Sequence, residues 1–365
     1  MRFQSVTWLT VVASSLLLMG CSGSAGTKSG NSTAELDPNW IKSLDEMIDY
    51  TANRRLSIKD HAAWQIIHGA FAYGQDFLID VNGKDTPAIQ YAINGGPMRG
   101  WNLYVTDKGV ASKLEPGEQS GGMGHPDQWM GYLSRCGVKL TDPLVVSGKN
   151  YTFQAFINEA QAGLRDDMEA TWTLMAFMVY LPLDATWKSR YENDSEWNLE
   201  RLVRNECHSK NADIYASSCA GSHCMYSLAS AVNRYQKEKN ANELTGGWKL
   251  AEERVQQAIH DARENQNPDG TFSAGSFQRA PATPDVAQQI RATGHVLEFL
   301  CEALNDEEIR EPWVGRAAYA LTKLFQKTKT IDMECGALYH AAHSLVLFRE
   351  RRFGPRPAQV AEQTK

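Results

Sequence analysis

Four long segments of this chain are apolar on nearly every side of a helix, and this feature constrains the fold most. A helix of that kind has to be enclosed by other protein, because no face of it suits water. Between these segments lie amphipathic stretches, such as 248–262 and 313–326, whose apolar residues form a single stripe. The enclosed segments are residues 172–181, 225–232, 295–304 and 340–348. The alternation of enclosed and half-exposed helices predicts an all-α protein made of stacked helical hairpins.

Stacked hairpins form either an open α-solenoid or a ring that closes on itself. The sequence has no uniform repeat length of the kind that marks the common solenoid arrays. We therefore expect a closed α/α toroid of inner and outer helices over residues 36–354, with an open α-solenoid as the alternative.

The first twenty residues have the composition of an export signal. Arg2 supplies a positive charge, and residues 6–19 form an apolar run that is shorter than the roughly 20 residues of a membrane-spanning helix. Residues 18–21, Leu-Met-Gly-Cys, then resemble the lipobox of bacterial lipoproteins. The resemblance implies cleavage before Cys21, acylation of Cys21 with chains such as palmitate, and anchoring to a membrane. The alternative is an ordinary secretory signal peptide that a cysteine follows by chance.

Composition divides the rest of the chain and limits its partners. Residues 1–20 are predicted as the signal peptide, 21–35, rich in Ser, Gly and Thr, as a flexible tether, and 355–365 as a disordered tail. The anchored body would lie on the non-cytoplasmic side of a bacterial cell envelope, in the periplasm or at the outer membrane. The net charge is −6 and the basic residues are scattered, so no nucleic-acid partner is expected.

A turn after one amphipathic helix carries the motif Gln266-Asn-Pro-Asp-Gly270-Thr-Phe272. Pro268 prevents the helix from continuing, Gly270 suits a tight turn, and Gln266 can bond to exposed backbone ends. The motif resembles the Gln-x3-Gly-x-Trp turn of squalene and oxidosqualene cyclases, with Phe272 in place of Trp. This resemblance implies the terpenoid cyclase and prenyltransferase superfamily, whose fold is the α/α toroid.

The chemistry of that superfamily does not carry over to this chain. The protonating Asp-x-Asp-Asp motif of the cyclases is absent from the sequence. Asp332 and Cys335 are one residue farther apart than the Asp-x-Cys zinc pair of protein prenyltransferases. Cys219, His223 and Cys224 could approach a zinc ion, but no second pair with structural-zinc spacing accompanies them. We therefore predict no metal site, and no cofactor follows from the sequence.

Histidines recur near the start of the enclosed segments, at His68, His223, His295 and His340, with His343 one turn later. Small residues precede them and let helix backbones approach closely. Because the inner helices of a toroid run parallel, equivalent ends would meet at one end of a central cavity. A helix N-terminus disfavours imidazolium, so neutral imidazoles there suit a general base or a substrate contact. The alternative is that each histidine is a packing residue bonded to a neighbouring carbonyl.

Other candidate site residues are weighed in the same way. Glu169 begins an enclosed segment and could add a carboxylate to the cavity, or could simply stabilise the helix end. His125 follows a glycine-rich loop that could line the cavity mouth, although Asp127 there is equally suited to capping a helix. Arg291 and Tyr339 could act beside His295 and His340. In polysaccharide lyases an arginine can neutralise the substrate carboxylate and a tyrosine can serve as the acid, and Arg291 and Tyr339 could fill these two roles.

Three functions are compatible with this sequence. The first is an exported enzyme with a histidine-lined cavity that acts on a glycan or small molecule by lyase-like general acid/base chemistry. The second is a non-catalytic lipoprotein that binds a lipid, an isoprenoid or a glycan, and the third is an interaction scaffold of the envelope. For the enzyme, the candidate catalytic residues are His223, His295, His340, His343 and Tyr339, and the candidate ligand-binding residues are His68, His125, Glu169 and Arg291.

Overall fold

The computed structural model describes residues 39–115, 121–166, 168–191, 196–208, 214–240, 243–278 and 283–356, which all belong to the unit Leu36–Lys365. The predicted signal peptide, Cys21, the tether and residues 357–365 of the predicted tail lie outside the described residues. Among the helices that the structure describes, none has both the length and the apolar character that crossing a membrane requires.

Twelve α-helices dominate the described residues, so the predicted all-α class is confirmed at the level of a predominantly helical chain. The odd-numbered helices are α1 (Trp40–Ala52), α3 (Ala88–Ile93), α5 (Gln154–Gly163), α7 (Leu199–His208), α9 (Gly246–Asn265) and α11 (Pro312–Thr328). The even-numbered helices are α2 (Ala63–Tyr73), α4 (Gln128–Arg135), α6 (Thr171–Tyr180), α8 (Ser222–Lys239), α10 (Val286–Ala303) and α12 (Cys335–Phe353). Helices α2, α4 and α6 are buried along most of their length, as the apolar run in α6 predicted.

The even-numbered helices pack against one another in sequence order. Helix α2 contacts α4, α4 contacts α6, α6 contacts α8, α8 contacts α10, α10 contacts α12, and α12 also contacts α2. Each of α7, α9 and α11 contacts the two even-numbered helices that flank it in the sequence. One hydrophobic core extends through these contacts, from Trp40 on α1 to Phe348 on α12.

The helix that carries His295 begins earlier than the sequence suggested. Helix α10 starts at Val286, where the carboxylate of Asp285 accepts hydrogen bonds from the backbone N–H groups of Ala287 and Gln288. His295 consequently lies more than two turns inside the helix, and the prediction that it stands near a helix start is wrong. The first turns of α10 are half-exposed, which is why the apolar pattern shows only the second half.

Among the described residues, four two-stranded antiparallel hairpins connect the helices, and the sequence did not predict them. Their strands are β1 (Leu78–Val81) with β2 (Lys84–Pro87), β3 (Leu103–Val105) with β4 (Val110–Ser112), β5 (Pro143–Val146) with β6 (Lys149–Thr152), and β7 (Thr186–Lys188) with β8 (Glu196–Asn198). Asn82 and Gly83 have φ values of 54° and 87°, the left-handed conformation of a two-residue hairpin turn. Strands of three or four residues are too short for their alternation to stand out beside a helical periodicity.

The Gln266 turn connects three helices. The side-chain amide of Gln266 donates hydrogen bonds to the carbonyl oxygens of Gly270 at 3.1 Å and Trp313 at 2.9 Å. The backbone N–H of the buried Phe272 donates to Oγ1 of Thr293 at 3.1 Å. The turn that follows α9 is thereby tied to the start of α11 and to the middle of α10, next to His295.

Candidate functional site

Four buried histidines from four different even-numbered helices come together at one place. His68 lies on α2, His223 on α8, His295 on α10 and His340 on α12, and each is at most 6 % exposed. The ring centroids of His295 and His340 are 4.3 Å apart, and His223 lies 5.0 Å and 4.8 Å from them. The ring of His68 is 5.2 Å from that of His340. We call these four side chains the histidine cluster.

The histidine cluster borders a cavity of about 400 Å³. The other side chains that define its chemistry are Trp64, His125, Tyr132, Cys219, Arg291 and Glu334. A smaller cavity of about 180 Å³ shares Cys219, Arg291 and His295 and reaches Ser276. Both cavities therefore meet the same thiol, guanidinium and imidazole.

The backbone and one carboxylate fix the orientation of the rings. Nδ1 of His68 lies 2.6 Å from the carbonyl oxygen of Trp64, and Nδ1 of His295 lies 2.8 Å from that of Arg291. A carbonyl oxygen only accepts hydrogen bonds, so in both rings Nδ1 carries the proton when the imidazole is neutral, and Nε2 holds the lone pair. The buried Nε2 of His295 has no hydrogen-bond partner in the part of the chain that the structure describes.

Glu298 is a buried carboxylate that sequence analysis missed. It lies one turn after His295 on α10, and its oxygens accept hydrogen bonds from Nδ1 of His340 at 3.0 Å and Nδ1 of His343 at 2.6 Å. Burial opposes its ionisation, but the two imidazoles outweigh burial and hold the pKa of Glu298 well below its usual value. A glutamate inside an enclosed helix requires such a partner, which was the signal available in the sequence.

His343 and Tyr339, both sequence candidates, lie away from the cavity. His343 stands behind Glu298 and packs on Phe71, with ring centroids 4.2 Å apart. The fully buried ring of Tyr339 lies 5.6 Å from that of Phe77 instead of beside the histidines. Successive residues on a helix point about 100° apart, so the orientation of His340 into the cavity turns Tyr339 away from it. The placement of Tyr339 beside the cavity is thus corrected.

The tyrosine that does line the cavity is Tyr132 on α4. Its phenol oxygen lies 3.2 Å from Nε2 of His340, so His340 is held between Tyr132 and the carboxylate of Glu298. Tyr132 has no distinguishing signal in the sequence, because a tyrosine within a buried helix is usually a packing residue.

Cys219 stands at the mouth of the cavity on a backbone of unusual conformation. Cys219, Ala220 and Gly221 have φ values of 52°, 52° and 81°, and helix α8 begins at the next residue. The left-handed conformation costs a residue other than glycine about 1 kcal/mol or more, and such strain is often found at functional sites. Cys219 is exposed, in contrast to the other described cysteines, which are buried.

The charges of these groups are coupled. Burial lowers the pKa of His68, His223 and His340 to about 4, so these rings are neutral at pH 7. Desolvation opposes ionisation of Cys219, but His295 and His223 outweigh it and hold the pKa of the thiol well below its usual value. Burial likewise opposes the charge of His295, yet Cys219 and Glu298 raise its pKa to about 9. The exposed thiol and the buried imidazole thus favour an ion pair.

Two groups of side chains bring potential metal-binding atoms together. One donor atom each from Cys219, His223 and His295 lie within 4.8 Å of one another, and the same holds for His223, Glu298 and His340. Cys224, which the sequence placed beside Cys219 and His223, belongs to neither group.

His125 and Glu169 form a polar pair on one side of the cavity. Nδ1 of His125 lies 3.0 Å from Oε2 of Glu169, whose other oxygen accepts a hydrogen bond from Ser218 at 3.1 Å. The His125 ring stacks on Trp172 with a centroid distance of 4.4 Å. Helix α6 begins at Thr171, so Glu169 precedes the helix that it was expected to begin, and it supports His125 from behind.

Arg291, the remaining sequence candidate, borders both cavities, and its carbonyl oxygen orients His295. The cavity and the groups that support it therefore combine five imidazoles, a thiol, a phenol, an indole, a guanidinium and the carboxylates of Glu298 and Glu334. Such a set can transfer protons, hold an anion or bind a metal ion. Protein-family models, curated proteins and solved structures provide no match to this chain.

Proposed function

We propose that this protein is an enzyme that acts on a glycan or another small polar molecule in the histidine-lined cavity. The observation that carries the proposal is the convergence of four buried imidazoles from four helices on one cavity. Burial of polar rings costs free energy unless their polar atoms find partners, and besides the carbonyl oxygen of Arg291 the ring of His295 meets the thiol of Cys219, which borders the cavity. Packing alone would favour apolar side chains here, so the cluster has the composition of a ligand-binding site.

We also propose that the helices form a closed α/α toroid. The even-numbered helices contact their neighbours in order, and the contact of α12 with α2 brings the last of them back to the first. An open α-solenoid would leave its first and last inner helices apart. Closure accounts for the way in which His68, from the start of the described chain, meets His340, from near its end.

General acid/base chemistry is the reaction type that the cluster supports best. His340 is oriented by Glu298 and faces the phenol of Tyr132, so a proton can pass between the imidazole and a hydroxyl group in the cavity. Arg291 adds a positive charge that suits an anionic substrate, such as a uronic-acid glycan. In a lyase-like reaction, a base removes the proton beside the carboxylate, a double bond forms, and the leaving oxygen takes a proton from an acid.

The proposed location follows from the lipobox-like segment. Acylation of Cys21 would anchor the enzyme at the non-cytoplasmic side of the cell envelope, where it would meet extracellular or periplasmic glycans. Mass spectrometry of the mature N-terminus tests this directly: the proposal expects a chain that begins at acylated Cys21, and a chain with an unmodified Cys21 would contradict it.

A product screen tests the enzyme. The full-length protein, purified in detergent, is incubated with neutral and uronic-acid oligosaccharides, and products are identified by mass spectrometry. His340→Gln should lower turnover by about 10²-fold or more, because it removes the imidazole that transfers the proton. His260→Gln, a substitution on the exposed face of α9, is the matched control and should leave turnover unchanged. Absence of any product, or equal turnover by both variants, would contradict the proposal.

A non-catalytic glycan-binding lipoprotein is the second candidate. Trp64 is half-buried at the cavity, 4.2 Å from the His68 ring by centroids, where an indole can stack on a sugar. The same screen separates the two, because a binding protein would retain oligosaccharides without changing their mass. Lipid or isoprenoid binding is less well supported, since such a ligand has no use for the group of ionisable side chains that borders this cavity.

A further inference from the structure

We propose that Cys219, His223 and His295 bind one divalent transition-metal ion of the zinc class at the mouth of the cavity. We call these three residues the metal triad. Binding of the ion does not depend on the proposed enzyme function, whereas its use in catalysis rests on that function.

The spacing of the donor atoms carries the first step. All three lie within 4.8 Å of one another. Zinc bonds nitrogen at about 2.0–2.1 Å and sulfur at about 2.3 Å, so the ligand atoms of a tetrahedral site are about 3.5 Å apart. Small side-chain rotations would close the triad around an ion, and no helix would need to move.

The orientation of His295 is the second, independent observation. Its Nδ1 faces the carbonyl oxygen of Arg291 at 2.8 Å, which leaves Nε2 as the ligand atom. That Nε2 is buried and makes no hydrogen bond of normal geometry among the described residues, and the side chain that it meets is the thiol of Cys219, another member of the triad. Histidines that bind metals commonly donate their other N–H to a carbonyl or carboxylate in this way.

The chemistry of the ligands selects the ion. A thiolate with two imidazoles suits zinc and related transition metals, whereas magnesium and calcium prefer oxygen ligands. The left-handed backbone of Cys219, Ala220 and Gly221 directs the thiol to the two histidines at the start of α8 and within α10. Three protein ligands leave the fourth coordination position of a tetrahedral ion open, as in catalytic zinc sites. Both cavities border Cys219 and His295, so a ligand in either cavity could reach that position.

The second group, formed by His223, Glu298 and His340, is less suited to hold the ion. Both carboxylate oxygens of Glu298 already accept hydrogen bonds from Nδ1 of His340 and His343. An ion bound to this carboxylate would have to replace these hydrogen bonds. We therefore assign Glu298 and His340 a place beside the metal triad, where they do not bind the ion but the carboxylate stabilises the positive charge of the ion.

Within the proposed enzyme, the ion would act as a Lewis acid toward the substrate. An oxygen of a carboxylate, carbonyl or hydroxyl group could occupy its fourth position, beside the His340 and Tyr132 pair. This arrangement separates two roles: the metal triad polarises the substrate, and His340 with Tyr132 moves the proton.

Metal analysis of the full-length protein tests the inference. Protein stripped with a chelator and dialysed against zinc should retain about one zinc ion per chain, measured by plasma mass spectrometry. Cys219→Ala and His295→Ala should each lower the retained zinc by roughly tenfold or more at the same zinc concentration. Cys224→Ala removes a neighbouring buried thiol outside the triad and should leave the retained zinc unchanged. Absence of bound zinc in the unaltered protein, or full retention by both triad variants, would overturn the site.

A second measurement uses the unaltered protein and does not depend on the folding of a variant. Iodoacetamide should alkylate Cys219 in the metal-free protein, and zinc should slow this reaction by roughly tenfold or more because a metal-bound thiolate is a poorer nucleophile. Equal alkylation with and without zinc would contradict the site. Bound zinc without any turnover would refute the enzyme alone, and turnover without bound zinc would refute the metal triad alone.

Discussion

Gly294 on α10 and Ala341 on α12 approach so closely that a Cβ atom at position 294 would lie 2.6 Å from the Cα of Ala341. Each residue directly neighbours a member of the histidine cluster, His295 or His340. The absence of a side chain at position 294 therefore allows the close helix packing in which the two imidazole rings lie 4.3 Å apart. Packing between two helices and the geometry of the site depend on the same contact.

Gly294→Ala should destabilise the protein by about 1–3 kcal/mol, because the added methyl group meets backbone atoms that cannot rotate away. Denaturant unfolding measures this change in free energy. Gly163→Ala in α5 is the matched control, since a Cβ at that position meets nothing within 4 Å, and its stability should be unchanged or higher. Equal effects of the two substitutions would show that α10 and α12 are not in close contact.

Glu298→Gln should lower the free energy of unfolding by about 1–3 kcal/mol. The carboxylate accepts hydrogen bonds from Nδ1 of both His340 and His343, whereas a glutamine side chain presents one acceptor and one donor. One imidazole would then face an N–H group in a buried place. Glu307→Gln, at an exposed position, serves as the control and should change stability by less than about 0.5 kcal/mol. A Glu298→Gln variant as stable as the control would contradict this role.

Asp127→Asn should stabilise the protein at neutral pH and not at low pH. Burial raises the pKa of Asp127 from 3.8 to about 6, and Thr173 donates a hydrogen bond to its carboxylate. The folded state therefore binds the proton more tightly than the unfolded state, so this group costs stability as the pH rises from about 4 to about 6. Asparagine avoids that cost, keeps an acceptor for Thr173, and tolerates the positive φ of this position.

Denaturant unfolding at several pH values measures the difference between the variant and the unaltered protein. The stability gain of Asp127→Asn should be near zero at pH 4 and reach about 1–3 kcal/mol at pH 7.5. A gain that is independent of pH would show that Asp127 does not titrate in this range.

Much of the helical pattern could be predicted from the sequence, because enclosed and amphipathic helices differ in their periodicity. The run at 172–181 corresponds closely to α6, Thr171–Tyr180. The beginning of α10 could not be read from the same signal, since its first turns are half-exposed and Asp285 sets the boundary. The four short hairpins could not be read from periodicity, because their strands have only three or four residues, and Asn82-Gly83 and Ser147-Gly148 mark the turns of just two of them.

The residues of the candidate site could likewise be predicted only in part from the sequence. His68, His223, His295 and His340 were found because they recur within enclosed helices. Their partners follow from tertiary packing. Tyr132 looks like an ordinary packing residue, and Glu298 stands out only as a carboxylate inside an enclosed segment, without any sign of the side chains that it meets. The position of Cys219 depends on a left-handed backbone conformation at Cys219 and Ala220, and neither cysteine nor alanine is a residue type that predicts this conformation. Because adjacent residues on a helix point about 100° apart, the spacing excludes a cavity that Tyr339 and His340 both face, and only the structure shows that His340 is the one that faces it.

The proposed function depends most on the orientation of the imidazoles around the cavity, and NMR of ¹⁵N-labelled histidine side chains measures this orientation directly. His68 and His340 should be neutral at pH 7 and protonated at Nδ1, because Trp64 and Glu298 accept hydrogen bonds from those atoms. Each substitution of a single histidine by glutamine assigns one signal. Nδ1-protonated rings in both residues would support a cavity lined by Nε2 lone pairs. Rings protonated at Nε2, or charged at pH 7, would contradict the arrangement on which the proposed function rests.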